Sequence, residues 1–234
     1  MLANGYQTPA WITQGNWRLG DKLGFGAFGT VYKGINDMGL LFAVKCLHTA
    51  GNSVEAEALV SEIDIMRNLE RHDHIVSYLG YSFDAQKKIV NIFQEWMSGG
   101  SVAGLLEMWG PFPIAQIRNY TRQILDGLSF LHSKEIVHRD IKGANLLVDE
   151  IGRVKLADLG LSSRMQAGMT VNMTVLKGTP FFMAPEVLTA GKYGRKGDVW
   201  AVGCTVIQMM TGSPPWSHLN LLRDMPGIIQ VMIF

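Results

Sequence analysis

His138-Arg139-Asp140-Ile141-Lys142-Gly143-Ala144-Asn145-Leu146-Leu147-Val148-Asp149 is the stretch on which the reading of this chain turns. It sets a carboxylate at Asp140, a lysine at Lys142 and a carboxamide at Asn145. A carboxylate so placed can orient a hydroxyl and accept its proton. Lys142 can offset charge on a transferring phosphoryl group, and Asn145 offers a hard oxygen of the kind Mg²⁺ takes. Downstream, Leu146 to Val148 and Val154 to Leu156 read as a hairpin around the turn Asp149 to Gly152. Asp158-Leu159-Gly160 follows, with Asp158 as a second Mg²⁺ ligand, and a loop rich in Thr, Gly and Met runs through Thr179-Pro180 to Ala184-Pro185-Glu186.

Upstream, Leu23-Gly24-Phe25-Gly26-Ala27-Phe28-Gly29-Thr30-Val31 contains GxGxxG. Glycines allow a tight turn whose backbone N–H groups approach phosphate oxygens. A dinucleotide-binding turn would be followed by a helix, whereas Thr30 to Ile35 reads as a strand. By itself the motif fits a hairpin lid over a nucleotide and an ordinary glycine turn about equally. Ala43-Val44-Lys45 closes an apolar run from Leu40 to Leu47. A lysine turned inward from such a strand needs a partner. Phosphates could serve, and so could Glu62 on a helix whose apolar face is Leu59, Ile63, Met66 and Leu69. Taken alone, a surface lysine and a solvated glutamate are the plainer reading of that pair.

The rest of the chain reads as a strand-rich part, a glycine turn and a helical part. Trp17 to Leu23, His74 to Phe83 and Lys87 to Gln94 are further strand-like runs. Met97-Ser98-Gly99-Gly100 marks a boundary. After it, Ile114, Ile117, Thr121, Ile124, Leu125, Leu128 and Leu131 form one long helical face, with Pro113 at its start. Asp198 to Met210 is apolar nearly all round and predicts a buried core helix. Its apolar core, from Val199, is too short for a membrane span of about 20 residues. The chain is 234 residues long, 47% hydrophobic and 18% charged, with a formal net charge of +1. That is a globular composition without the basic footprint of a nucleic-acid binder. Cys46 and Cys204 stand far apart, which suggests neither a zinc site nor a disulfide framework. Met1 to Asn16 lacks the pattern of a secretory signal, so a cytoplasmic protein is expected.

Six motifs now stand in one order: GxGxxG, the Ala-Val-Lys lysine, a helix glutamate, His-Arg-Asp with its asparagine, Asp-Leu-Gly, and Ala-Pro-Glu. In that order they resemble the protein kinase family over roughly residues 17 to 217. The resemblance implies an α+β, two-lobed fold. A small antiparallel-sheet N-lobe with one helix precedes a larger, mainly helical C-lobe that is cut short. The implied organisation is an N-terminal extension at 1–16, the N-lobe at 17–97, the C-lobe at 98–217 and a divergent tail at 218–234. The resemblance also implies ATP and Mg²⁺. Leu23, Gly24, Gly26 and Gly29 would cover the nucleotide, with Val31, Ala43 and Leu147 against adenine. Lys45 would hold the α- and β-phosphates and pair with Glu62. Glu95 and Met97 would bind adenine through their backbone, beside Gln94 at the gatekeeper position. Asp140 would be the catalytic base and Lys142 its charge-offsetting neighbour, with Asn145 and Asp158 as metal ligands. Asp198 would anchor the backbone of the catalytic loop.

Lys142-Gly143 and Thr179 resemble serine/threonine kinases rather than tyrosine kinases. The strings His138 to Asp149, Gly178 to Leu188 and Gly197 to Ser217 are most similar to the MAP kinase kinase kinase group, with Ste20-like kinases next. The implied protein substrate is a MAP kinase kinase. Arg139 would pair with a phosphorylated loop residue, Thr174 or Thr170, set there by an upstream kinase. Leu159 stands where the family mostly has phenylalanine. Beyond Trp216 the family continues through further helices, one of which supplies an arginine partner for Glu186. Gly227 to Phe234 is instead nearly all apolar. The expectation that competes with an active kinase is therefore a truncated kinase that binds ATP or a partner without efficient turnover.

Overall fold

The structure is a computed structural model that describes residues 8–26, 29–48, 63–164, 171–172, 180–190 and 192–217. The described residues divide into two compact units. One holds those up to Arg71 with Val76–Met97; the other holds His72–Ile75 with those from Ser98 onward. The result is a sheet-rich N-terminal unit and a mainly helical C-terminal unit, an α+β arrangement.

The first unit is a five-stranded antiparallel sheet in the order β1-β2-β3-β5-β4, with β1 at Trp17–Gly26, β2 at Gly29–Asn36, β3 at Leu41–His48, β4 at Tyr78–Asp84 and β5 at Ile89–Glu95. β1 and β2 form a hairpin with Gly24 opposite Val31 and Gly26 opposite Gly29. A strand, not a helix, therefore follows the glycines, which removes the dinucleotide-turn alternative. Gly29 has φ +126, and a Cβ there would lie 2.3 Å from the Cys46 carbonyl oxygen. Only glycine satisfies both constraints. Strand alternation sends Phe42, Val44 and Cys46 of β3 to one face and Ala43, Lys45 and Leu47 to the other. The first face is covered by a short helix, α1 (Ala10–Thr13), which buries Ile12 against Phe42, Val44 and Phe93. Trp11 and Trp17 complete an aromatic cluster, with ring centroids 4.6 Å (Trp11–Phe42) and 4.9 Å (Trp17–Phe93) apart. Helix α2 occupies residues 63–68, with Ile65 and Met66 buried.

β4 begins at Tyr78, later than the apolar run from His74 suggests. The reason is a competing attachment. His74 O accepts from Leu156 N at 2.9 Å, His74 Nδ1 lies 2.9 Å from Val154 O, and Ile75 bridges to Leu156 in parallel. Residues 72–75 thus extend the sheet of the second unit.

That second unit is built on two long helices. β6 (Gly100–Ser101) leads into α3 (Val102–Trp109), whose N-terminus is capped by the Ser101 hydroxyl accepting from Gly104 N at 3.1 Å. α4 (Ile114–Ser133) buries Ile117, Tyr120, Ile124, Leu128 and Leu131, a 3-and-4 spacing that keeps one face inward. Leu125, which the sequence reading put on that face, is partly exposed instead. β7 (Ile136–Val137), β8 (Leu146–Val148) and β9 (Val154–Leu156) follow, and β6, β8 and β9 pair as one small sheet. β10 (Ser163–Arg164) pairs with β7, and β11 (Val171–Asn172) pairs with β12 (Lys192–Tyr193). Between the last two lies α5 (Pro185–Ala190), and α6 (Arg195–Thr211) closes the unit. Gly212 ends α6 in the left-handed region and donates its N–H to Gln208 O at 2.8 Å.

α6 is not buried all round. It packs on α4 and on the turns at Gly143–Asn145 and Pro180–Phe182, and buries Asp198, Ala201, Val202, Thr205 and Met209 there. On its other side Val199 is 53% and Met210 54% exposed, and nothing among the described residues covers them. No helix among the described residues is long and apolar enough to cross a membrane.

Candidate active site

The catalytic-type loop leaves β7 at Val137 and ends in the helical turn Gly143–Asn145 before β8. Asp140 is its centre. Its Oδ2 lies 2.9 Å from Lys142 Nζ and accepts from Asn145 Nδ2 at 2.8 Å. Asn145 Nδ2 also donates to Asp140 O at 2.8 Å. With its amide nitrogen committed in this way, Asn145 presents Oδ1, a hard oxygen, as its remaining polar atom. The sequence placed these three groups in one loop; the fold draws them onto one carboxylate oxygen.

The loop is fastened from behind by α6. Asp198 is fully buried, and both of its oxygens accept two donors. Oδ2 takes His138 N at 2.9 Å and His132 Nε2 at 2.8 Å. Oδ1 takes Arg139 N at 2.9 Å and the Tyr193 hydroxyl at 2.9 Å. The anchoring role expected of Asp198 is thus visible in geometry. His132 and Tyr193 were not foreseen, because nothing local in the sequence links either to a carboxylate on α6. A second unforeseen tie is Gly143 N to the buried Gln208 Oε1 at 3.1 Å. A Cβ on Gly143 would stand 2.7 Å from that oxygen, so a larger residue there would require the Gln208 side chain to shift.

The Asp158 segment is fixed to the same loop. His138 is buried with Nε2 3.1 Å from Ala157 O, Ala157 N donates to Asn145 O at 2.9 Å, and Ser162 Oγ donates to His138 O at 3.2 Å. Asp158 has φ 61, and its Oδ1 accepts from Gly160 N at 3.4 Å. Leu159 is buried, so it fills an apolar slot as phenylalanine would. Among the described residues no group of three or more His, Cys, Asp or Glu gathers into a metal cage. Asn145 and Asp158 would supply two oxygen ligands, a number that suits Mg²⁺ when phosphate and water complete its shell. Arg139 points its guanidinium toward Tyr193, 5.9 Å from the ring centroid, and its buried Nε has no hydrogen-bond partner among the described residues. Burial lowers the Arg139 pKa from its ordinary value, against the nearby Tyr193 and Asp198.

The first unit carries the remaining candidates. Gly24 and Gly29 lie on the β1–β2 hairpin, Gly26 at the end of β1, and Leu23 is exposed beside them. Val31 and Lys45 are paired in register across β2 and β3. Lys45 is only 7% exposed, so the strand does turn it inward. Ala43 shares its face and pairs with Gln94, whose Nε2 lies 3.5 Å from Met66 Sδ. Glu95 closes β5 with its N–H donated to Ser77 O at 3.0 Å and its Oε1 accepting Ser77 N at 2.6 Å. Met97 is buried just beyond it. In the second unit Leu147 pairs with Ser101 and Lys155; Leu146 and Val148 on either side are buried more deeply. Glu62, Thr170 and Thr174 lie outside the described residues.

Comparison with known proteins places this geometry. The protein kinase domain family matches residues 17–232. The chain is 47% identical over 215 residues to mitogen-activated protein kinase kinase kinase 3 of Mus musculus, spanning 88% of this chain and 34% of that protein. It is 44% identical over 213 residues to mitogen-activated protein kinase kinase kinase A of Dictyostelium discoideum, spanning 88% and 22%. It is 46% identical over 212 residues to mitogen-activated protein kinase kinase kinase ANP1 of Arabidopsis thaliana, spanning 87% and 31%. The chain therefore spans about a third or less of the length of these curated relatives.

Proposed function

Because the chain belongs to the eukaryotic serine/threonine protein kinase domain family, we propose that it transfers the γ-phosphoryl group of ATP to a serine or threonine hydroxyl of a protein substrate. The observation that carries this reading is the Asp140 carboxylate, 2.9 Å from Lys142 and 2.8 Å from Asn145 in a loop fastened to buried Asp198. In the proposed step Asp140 orients the hydroxyl and takes its proton as the oxygen–phosphorus bond forms and the bond to ADP breaks. Lys142 offsets the charge that moves with the phosphoryl group. Asn145 and Asp158 would hold Mg²⁺, which when bound neutralises phosphate charge. Lys45 takes the α- and β-phosphates with Glu62 as its partner, and the backbone at Gly24, Gly26 and Gly29 covers them. Val31, Ala43 and Leu147 offer apolar surface to adenine, Glu95 and Met97 their backbone groups, and Gln94 the gatekeeper side chain.

The relatives' names motivate the finer part of the proposal, a place in a MAP kinase cascade with a MAP kinase kinase as substrate. The buried Arg139 Nε, without a hydrogen-bond partner among the described residues, motivates a regulatory part, in which an upstream kinase phosphorylates Thr174 or Thr170 and the phosphate pairs with Arg139. Alanine at both threonines then removes activation; unchanged activity of the double variant contradicts that part. The transfer itself is tested with γ-labelled ATP, Mg²⁺ and a MAP kinase kinase, followed by identification of the labelled amino acid. Phosphoserine or phosphothreonine is the expected product. ATP binding without transfer by the folded chain would leave only a binding module.

A further inference from the structure

Tyr193 stands where the activation-type loop, the catalytic loop and α6 meet. Its backbone pairs antiparallel with Val171, and Lys192 pairs with Asn172. That ladder ties β12 to the long loop after Asp158, one residue from Thr170. Its hydroxyl donates to Asp198 Oδ1 at 2.9 Å, the oxygen that also accepts Arg139 N at 2.9 Å. Its ring faces the Arg139 guanidinium at 5.9 Å, the outer edge of cation–π contact. Arg139 has φ 72, a left-handed backbone that costs a non-glycine residue free energy and persists only where neighbours fix it. A small cavity lined by Arg139, Asp140, Ile141, Phe182, Met183 and Tyr193 sets the ring beside the catalytic aspartate. The ring also rests on the first turn of α6: a Cβ on Gly197 would lie 3.0 Å from Tyr193 Cζ. Burial, and then the Asp198 charge, push the phenol well above its ordinary pKa, so it remains a donor.

We infer that Tyr193 is a positioning residue that couples the pairing of Val171–Asn172 to the Arg139 backbone, and through it to Asp140. The structural half of this stands on geometry alone; its kinetic consequence rests on the kinase reading. Tyr193→Phe keeps the ring and removes the hydroxyl that holds Asp198 Oδ1. Gly197→Ala keeps the hydroxyl and displaces the ring.

The test uses both variants in the full chain, with two readouts. The first is amide hydrogen exchange at His138 and Arg139, expected to quicken about tenfold in Tyr193→Phe, because the hydrogen bond lost is to a charged group. The second is kinetic: kcat is expected to fall about tenfold while KM for ATP stays within about twofold. Gly197→Ala is expected to move both readouts in the same direction, and it carries the test should Tyr193→Phe not fold. Unchanged exchange at 138–139 overturns the inference. So does a loss of kcat matched by an equal loss of ATP affinity, since that is a general structural defect. If the parent transfers no phosphate, the kinase reading fails by itself, and the exchange measurement still decides the role of Tyr193.

Discussion

The loop from His138 to Asn145 and the sheet face covered by α1 are both held in place, but by opposite means. The loop hangs on directional bonds to one buried carboxylate: His132, His138, Arg139 and Tyr193 all aim at Asp198. The sheet face is held mainly by contact area, with Ile12, Phe42, Phe93, Trp11 and Trp17 packed against one another. Directional bonds fix atoms to within tenths of an ångström and tolerate no substitute, because each orphaned donor is left in a dry site. Apolar packing tolerates a change of shape at constant volume. The proposed chemistry falls where the tolerance is smallest.

The largest break in this comparison is Asp198→Asn. It removes the charge and offers an N–H to donors that need acceptors, stranding buried groups at about 1–3 kcal/mol each. The expected result is a loss of about 2–6 kcal/mol in urea unfolding, from two such groups stranded at the oxygen replaced. Stability within 1 kcal/mol of the parent would show that the anchor is dispensable.

Next in size is Ile12, buried to 1% exposure. Ile12→Ala is expected to cost about 2–4 kcal/mol through the lost transfer energy and the cavity left behind, whereas Ile12→Leu is expected to cost under about 1.5 kcal/mol. That gap between alanine and leucine is the signature of packing. Equal costs for the two would mean that the α1 cover is held by something more specific.

This pair of regions also explains what the sequence could and could not reveal. His138 to Asn145 was legible because the proposed catalysis needs particular residue types at fixed spacing; that Lys142 and Asn145 both close on Asp140 is set by the fold of the loop and was not legible in the spacing. The β8–β9 hairpin and α4 were legible for a related reason: their turn residues and their apolar period are local. The cover formed by Pro9 to Trp17 was not. Its signal is three apolar side chains in a polar stretch, too few to show a period, and their partners Phe42 and Phe93 lie far along the chain. His74 and Ile75 read as part of the run that continues into β4 for a similar reason. Their attachment to Leu156 is a backbone bond that leaves no mark on residue type. For α6 an apolar composition predicted burial on every side, yet composition states only that a surface can be buried, and Val199, Trp200, Ile207 and Met210 remain partly or largely exposed.

The smallest effect expected concerns the two cysteines, one in each region. Burial pushes the Cys204 thiol up to about 11 and raises that of Cys46 as well. The thiolate is the reactive form, so raised values mean little thiolate near pH 8. Iodoacetamide at pH 8 is expected to label both in urea and neither, over the same interval, in the folded chain. Fast labelling of Cys46 alone would show that the aromatic-packed face opens more readily than the face held by Asp198.

On the proposed mechanism Asp140 acts in the transfer step and not in binding ATP. Measuring ATP affinity and phosphoryl transfer on the same preparations of the parent and of Asp140→Asn tests it most directly. In Asp140→Asn, ATP affinity is expected to stay within about twofold and transfer to fall by about 10²–10⁴, the usual contribution of a general base. Transfer at the parental rate by Asp140→Asn would contradict it.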